Sequence, residues 1–172
     1  MKQNKFTHKI SYVMNIFYLD KDPKIAAQMH CDKHCVKMIL EYAQLLSTAH
    51  RILDQDSVKS DKFYQVTHKN HPSAIWTRES KDHYLWLYDL FLNLCNEYSK
   101  RYSKNHNTKS TIGESLMMLP KNIKNNGWID PPQCMPDYCK KKDTVDAYRK
   151  FYLEEKASFA TWKIQQPEWW LE

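Results

Sequence analysis

Six consecutive residues, His30-Cys31-Asp32-Lys33-His34-Cys35, followed by Lys37 and Glu41, concentrate more side-chain chemistry than any other stretch of this sequence. One chemistry that fits them is metal ligation. His30 and His34 are four apart, as are Cys31 and Cys35, and zinc accepts both ligand types, with Cys134 and Cys139 available to complete a site. Against it stand the missing C-x2-C spacing and Asp32, which reads as a helix cap separating the members of each pair. The expectation is no metal. The other chemistry is anion recognition. Lys33 and His34 fall at the start of the helix that Asp32 would cap, where unbonded backbone N–H groups and the helix dipole attract phosphate, and Lys37 lies one turn on. If such a site also turned its ligand over, His34 and Glu41 would be its acid–base pair, provided a bend in the helix lets them converge. The plain alternative makes Cys31 and Cys35 small core residues and leaves Lys33 and Lys37 solvated; for the cysteines that reading is preferred.

A second constellation is Lys69-Asn70-His71-Pro72-Ser73, then Trp76, Arg78 and Glu79. A helix again opens beside a histidine and a hydroxyl. Trp76 could stack on a base and Arg78 could fork a phosphate, or Trp76 is core, where tryptophan usually sits, with Arg78 and Glu79 as surface charges. Taken together, Lys33, His34, Lys37, Glu41, Arg51, Asn70, His71, Trp76 and Arg78 form the candidate ligand-binding set. The run Lys140-Lys141-Lys142 reads as a solvated loop, and no Ser-His-Asp or Cys-His nucleophile pattern has a local signature.

Helices must position these residues. Asp22-Pro23 reads as an N-cap with proline at the first helical position, opening a short helix through Gln28. From Asp32 to about Leu53, the residues Cys35, Met38, Ile39, Tyr42, Leu45, Leu46 and Ala49 share one arc. Lys33, Lys37, Glu41, Gln44, Thr48 and Arg51 share the other, with His34 at the seam. Residues 54–70 are polar and loop-like. Pro72 opens the longest helical stretch, Ser73 to Tyr102, with a break or new cap near Ser80 and a core stripe of Leu87, Leu90, Phe91, Leu94 and Tyr98. Thr111 and Glu114 match a capping box for a short helix that stops before Pro120. Residues 120–142 carry four prolines and read as an irregular connection. Asp143 or Thr144 caps a last helix to about Trp162, and Pro167-Glu168-Trp169-Trp170 folds back on the body.

The composition fits this plan. With 172 residues, 42% of them apolar, the chain is long enough for one domain with a real core. Two glycines, Gly113 and Gly127, argue against turn-rich barrels and propellers and remove glycine-rich phosphate loops. A net charge of +6 favours polyanionic partners. Five cysteines, with neither a signal-like start nor an apolar run of membrane length, read as reduced thiols in a cytoplasmic protein. Met14 precedes the first apolar run, so residues 1–13 read as an N-terminal extension and residues 14–172 as a single all-α domain: a compact helical bundle with long irregular connections. No cofactor and no membrane partner are expected.

The segments His30-Cys31-Asp32-Lys33-His34 through Arg51, Asn70-His71-Pro72-Ser73, Trp76, Arg78-Glu79-Ser80 and the terminal Pro-Glu-Trp together resemble an uncharacterised protein family common in phages. The resemblance covers nearly everything from Met14 onward. More remotely, Met14-Asn15-Ile16, the helix with Ala26, Ala27 and Gln28, and Asn70-His71-Pro72 are similar to the phage-type pyrimidine-dimer DNA glycosylases of the endonuclease V class, which are small all-helical enzymes. That resemblance implies a glycosylase-like helical fold. It puts Lys33 and Lys37 where the family sets arginines on DNA phosphate, and His34 where its assisting glutamate stands. The family's nucleophile is the amine exposed by removal of the initiator methionine; Asn15 follows Met14 here and thirteen residues precede it, so the catalytic features are not matched. The expectation is a protein that binds a nucleotide or nucleic acid in a basic, His- and Trp-containing pocket and sequesters a host nucleotide signal. The alternative is a DNA glycosylase or nucleotide hydrolase acting on modified or damaged bases.

Overall fold

A computed structural model of the chain describes residues 14–55 and 62–170, so the extension read at residues 1–13 lies outside the described residues. Residues 14–19 belong to no helix or strand and are buried throughout. The side-chain amide of Asn15 donates to the Cys134 carbonyl (2.7 Å) and its oxygen accepts from the Tyr148 hydroxyl (2.7 Å). Around this segment lie α1 (Pro23–Met29), α2 (Asp32–Asp54), α3 (Pro72–Glu79), α4 (Lys81–Tyr102), α5 (Asn107–Leu116) and α6 (Thr144–Glu155). All six gather on one apolar core, and there is no strand among the described residues, as the all-α reading expects.

Local chemistry accounts for most of the boundaries. The Asp22 carboxylate accepts from the N–H groups of Lys24 and Ile25, and Pro23 fills the first helical position, where no N–H is missed. Asp143 caps α6 through the Asp146 N–H. In α2 the whole predicted apolar arc, Cys35 to Ala49, is buried, while Thr48, assigned to the polar arc, is buried as well. The long third stretch breaks at Ser80, whose backbone is extended (φ −151°, ψ 147°). The irregular segment after α5 holds that break open by satisfying both helix ends. Lys81 N–H donates to the Lys124 carbonyl (2.9 Å), and the Asn126 amide donates to the Glu79 carbonyl (2.9 Å).

Three boundaries differ from the expectation. Asp32 does not cap α2: Cys31 holds the N-cap position, and the Asp32 carboxylate instead accepts from Arg101, the Thr161 hydroxyl and the Lys163 N–H. The Thr111–Glu114 capping box does not form. α5 starts five residues earlier, capped by the His106 imidazole through the Thr108 N–H, and the Thr111 hydroxyl bonds back to the Asn107 carbonyl inside the helix. α6 ends at Glu155 rather than near Trp162, because the chain turns at Lys156 to bring Phe159 over the start of α2 and Thr161 O onto the Asp32 N–H (2.8 Å).

Buried tyrosines and histidines pair inside this core. His30, fully buried, donates from Nδ1 to the Ala26 carbonyl (2.7 Å), so its Nε2 accepts from the Tyr42 hydroxyl (2.7 Å), which in turn accepts from the Phe17 N–H. His50 donates from Nε2 to the Tyr84 oxygen (2.8 Å) and stacks on Phe63 at 4.1 Å. Burial pushes both imidazoles down from 6.5 to about 4. The unfolded chain takes up protons on these rings from about pH 6.5 downward, the folded chain only near pH 4. The stability they confer is therefore complete above pH 6.5 and lost as the pH falls through that window, roughly 3 kcal/mol per ring. Urea midpoints should drop steeply between pH 7 and 4.5, and His50→Gln should flatten part of that slope. A midpoint that stays constant over the interval would contradict the neutral-histidine core.

Candidate functional site

The first turn of α2 places His34 against three aromatic rings. Its imidazole stacks on Phe17 (centroids 4.2 Å apart, planes 19°) and meets the edges of Tyr152 (5.2 Å) and Phe159 (5.6 Å). Nδ1 lies 2.6 Å from the Tyr152 hydroxyl, which also accepts from the Cys31 N–H at 3.4 Å. Only 6% of the residue is exposed. Burial first, and then the charges of His30, Lys156, Lys37 and Lys33, hold His34 well below the ordinary imidazole pKa, so it is neutral.

Those same interactions show what surrounds the ring: Lys33, Lys37 and Lys156 all lie close enough to oppose its charging. The Lys33 ammonium sits over the Phe159 ring at 4.4 Å, and Lys156 sits 4.6 Å from the Phe151 ring and 6.0 Å from that of Phe159. Burial lowers Lys156, the Glu155 carboxylate opposes that shift, and the Lys37 and Lys33 ammoniums add to it. Glu41 is the one carboxylate paired within the group, 3.4 Å from Lys37 Nζ, and burial raises its pKa despite that lysine. Asp32, nearer in sequence, is drawn away by Arg101 (3.1 Å). Three ammoniums thus stand beside a neutral imidazole, with Glu41 paired to Lys37 and Glu155 acting on Lys156.

This corrects two expectations about how α2 would work. The helix end is not an open anion cradle, because the Cys31 and Asp32 N–H groups go to Tyr152 Oη and Thr161 O, and residues 161–163 cross the helix start. The positive charge is on the lysine side chains instead. His34 and Glu41 do not form an acid–base pair either. α2 runs unbroken from Asp32 to Asp54, which sets them two turns apart, about 10 Å along the axis, with Lys37 between.

The second constellation does not join the first. Arg51 is seventeen residues along α2 from His34, about 25 Å, and its guanidinium donates to the Tyr64 carbonyl (2.6 Å) and the Phe63 carbonyl. Trp76 is 2% exposed, stacks on His83 at 4.4 Å and donates to the Ile129 carbonyl (2.9 Å). It is a core residue that fastens the 120–142 connection, and no base can reach its face. Arg78 donates to the Lys69 carbonyl (2.7 Å), and His71 caps α3 through the Ser73 N–H (3.1 Å). Asn70 is exposed beside that cap. These residues build the 62–72 loop and the α3 start rather than a site shared with Lys33. Conversely, Phe17, Tyr152, Lys156 and Phe159 complete the His34 environment and were not singled out from the sequence as its partners. Lys156 does share a helical face with Tyr152, four residues earlier, but nothing local says that this face meets α2.

No known family, curated protein or solved structure matches the chain.

Metal and thiol chemistry find little purchase here. Both ring nitrogens of His30 are spent within the protein, and no group of three or more His, Cys, Asp or Glu side chains among the described residues converges as metal ligands would. All five cysteines are buried and unpaired, and burial pushes the Cys35 and Cys95 thiols up to about 12, which keeps them protonated and poorly nucleophilic. No helix among the described residues is long and apolar enough to cross a membrane.

Proposed function

We propose that this is a phage-type protein that binds a phosphorylated nucleotide or nucleic acid at the start of α2 and holds it unchanged, a chemistry suited to sequestering a host nucleotide signal. The observation that carries the reading is that the Lys33 and Lys156 ammoniums share the Phe159 ring packed against His34, with Lys37 one turn along α2 and the carboxylates of Glu41 and Glu155 beside them. A phosphate would relieve the mutual repulsion of the ammoniums and accept from them directly, forming charge-assisted hydrogen bonds. The Phe159 ring, already a cation–π surface for Lys33, gives the cluster a fixed aromatic side. Binding is favoured over catalysis because the site lacks a converging acid–base pair. Two carboxylate- or histidine-type groups two turns apart cannot share one proton transfer of hydrogen-bond length.

The test is incubation of the protein with a mixture of nucleoside mono-, di- and triphosphates and a short single-stranded oligonucleotide, followed by mass spectrometry of the bound and free fractions. The expected result is enrichment of phosphorylated species in the bound fraction at unchanged mass. A species that has lost a base or a phosphate would instead establish the glycosylase or hydrolase alternative. Enrichment of the oligonucleotide over the mononucleotides would identify nucleic acid as the ligand.

A further inference from the structure

A cleft of about 600 Å³ lies between α1, α4 and the C-terminal segment, and its walls include Gln28, Glu97, Arg149, Gln165, Gln166 and Trp169. Its size is that of small-molecule sites, which run from about 300 to 1,000 Å³. Three features show what it is built to hold. The side chain of Glu97 is only 7% exposed; Oε1 accepts from Arg101 Nε (3.0 Å), and Oε2 has no protein partner among the described residues. Oε2 keeps contact with solvent, so a ligand that fills the cleft takes that contact away and has to give the oxygen a hydrogen-bond donor in its place. Arg101 bonds only the other oxygen: its Nη1 donates to the His30 carbonyl and Asp32, and its Nη2 to the Gln28 carbonyl. The indole of Trp169 is fixed as a planar wall, its N–H on the Met29 sulfur (3.4 Å) and the Arg149 guanidinium 5.6 Å from its ring centre. The carboxamides of Gln28, Gln165 and Gln166 offer both donors and acceptors. The formal charges on the wall balance, with Lys100 and Arg149 against Glu97 and Glu168, so the cleft favours a neutral, planar, hydrogen-bonding ligand over an ion.

We propose that this cleft is a nucleobase site, and that it selects a base with an exocyclic amine, which donates to Glu97 Oε2 while the ring lies along Trp169. An amine-bearing purine fits the volume and the donor requirement together. The inference goes beyond the lysine cluster and does not depend on it, because a nucleoside carries no phosphate.

The experiment is calorimetric titration of the full chain with adenosine and with purine riboside, which has the same ring and sugar but no amine. Adenosine should bind at least about tenfold more tightly, the loss expected when a buried acceptor is left unpaired. Glu97→Gln should erase that discrimination. Trp169→Phe, which keeps a ring in the wall, should retain the discrimination while lowering both affinities a fewfold. Equal affinity for the two nucleosides, or no adenosine binding at millimolar concentration to the folded wild-type protein, would overturn the proposal even if the lysine cluster proves to bind phosphate.

Discussion

Arg101→Ala is expected to cost about 3–5 kcal/mol of folding stability, the range for breaking a buried ion pair from one side. The guanidinium is 1% exposed and is the clamp between the two helices that lead into the candidate site. From the last turn of α4 it holds the Gln28 carbonyl (3.0 Å) and the His30 carbonyl (2.8 Å) at the end of α1, Asp32 (3.1 Å) at the start of α2, and Glu97 (3.0 Å) on its own helix. Alanine would leave one nearly buried carboxylate, one partly buried carboxylate and two carbonyls without this donor. Lysine would keep the charge but not the fork, since one ammonium cannot reach all of these acceptors in the geometry a planar guanidinium provides, so Arg101→Lys should recover only part of the loss. Urea unfolding at pH 7 measures both: the midpoint should fall with the slope unchanged. A loss below about 1 kcal/mol for the alanine variant would show that water or a shifted side chain replaces the clamp.

The second large effect is on binding. The triple variant Lys33→Ala, Lys37→Ala, Lys156→Ala should lower affinity for a phosphorylated ligand by about 100-fold or more. Each hydrogen bond to a charged group contributes about 1.5 kcal/mol at the low end of its range, and three of them exceed the ~2.7 kcal/mol that 100-fold represents. Lys156 should carry the largest single share. It is partly buried against Phe151 and Phe159, so its charge is less screened than that of Lys37, whose side chain is 60% exposed. The fold should survive, because the three ammoniums repel one another and, among the described residues, Lys37 alone of the three is in an ion pair of salt-bridge length, with Glu41. Unfolding midpoints matching the wild type would assign the loss to binding rather than to structure.

Much of the helical frame was legible because its causes are local. Asp22-Pro23 and Asp143 are caps whose side chains reach N–H groups two or three residues away, and the α2 arc repeats with the helical period. The places where the sequence misled are those where a distant partner outbid the local one. Asp32 looks like a cap but answers to Arg101, sixty-nine residues away, and to residues 161–163. α6 looks continuous to Trp162 but turns at Lys156, where the chain brings Phe159 onto the α2 lysine. The site divides in the same way. Lys33, His34, Lys37 and Glu41 are neighbours on one helix and were found together. Lys156, Tyr152, Phe159 and Phe17 reach them only through tertiary packing, which no spacing encodes. Arg51, Trp76 and Arg78 have the residue types of a nucleotide site, but type does not reveal a partner, and their donors are engaged by backbone carbonyls of the fold itself.

The central claim, that the α2 lysine cluster is an anion site, is tested most directly with a ligand that has phosphates and nothing else. Inorganic tripolyphosphate would be titrated calorimetrically into the wild-type protein and the triple lysine variant at about 50 mM and about 300 mM salt, concentrations that shorten the screening length from over 10 Å to roughly half of that. The structure predicts saturable binding of one tripolyphosphate per wild-type chain, at least about tenfold weaker at the higher salt, and no measurable binding to the triple variant. Equal affinity in the two proteins, or wild-type binding that is indifferent to salt, would contradict it.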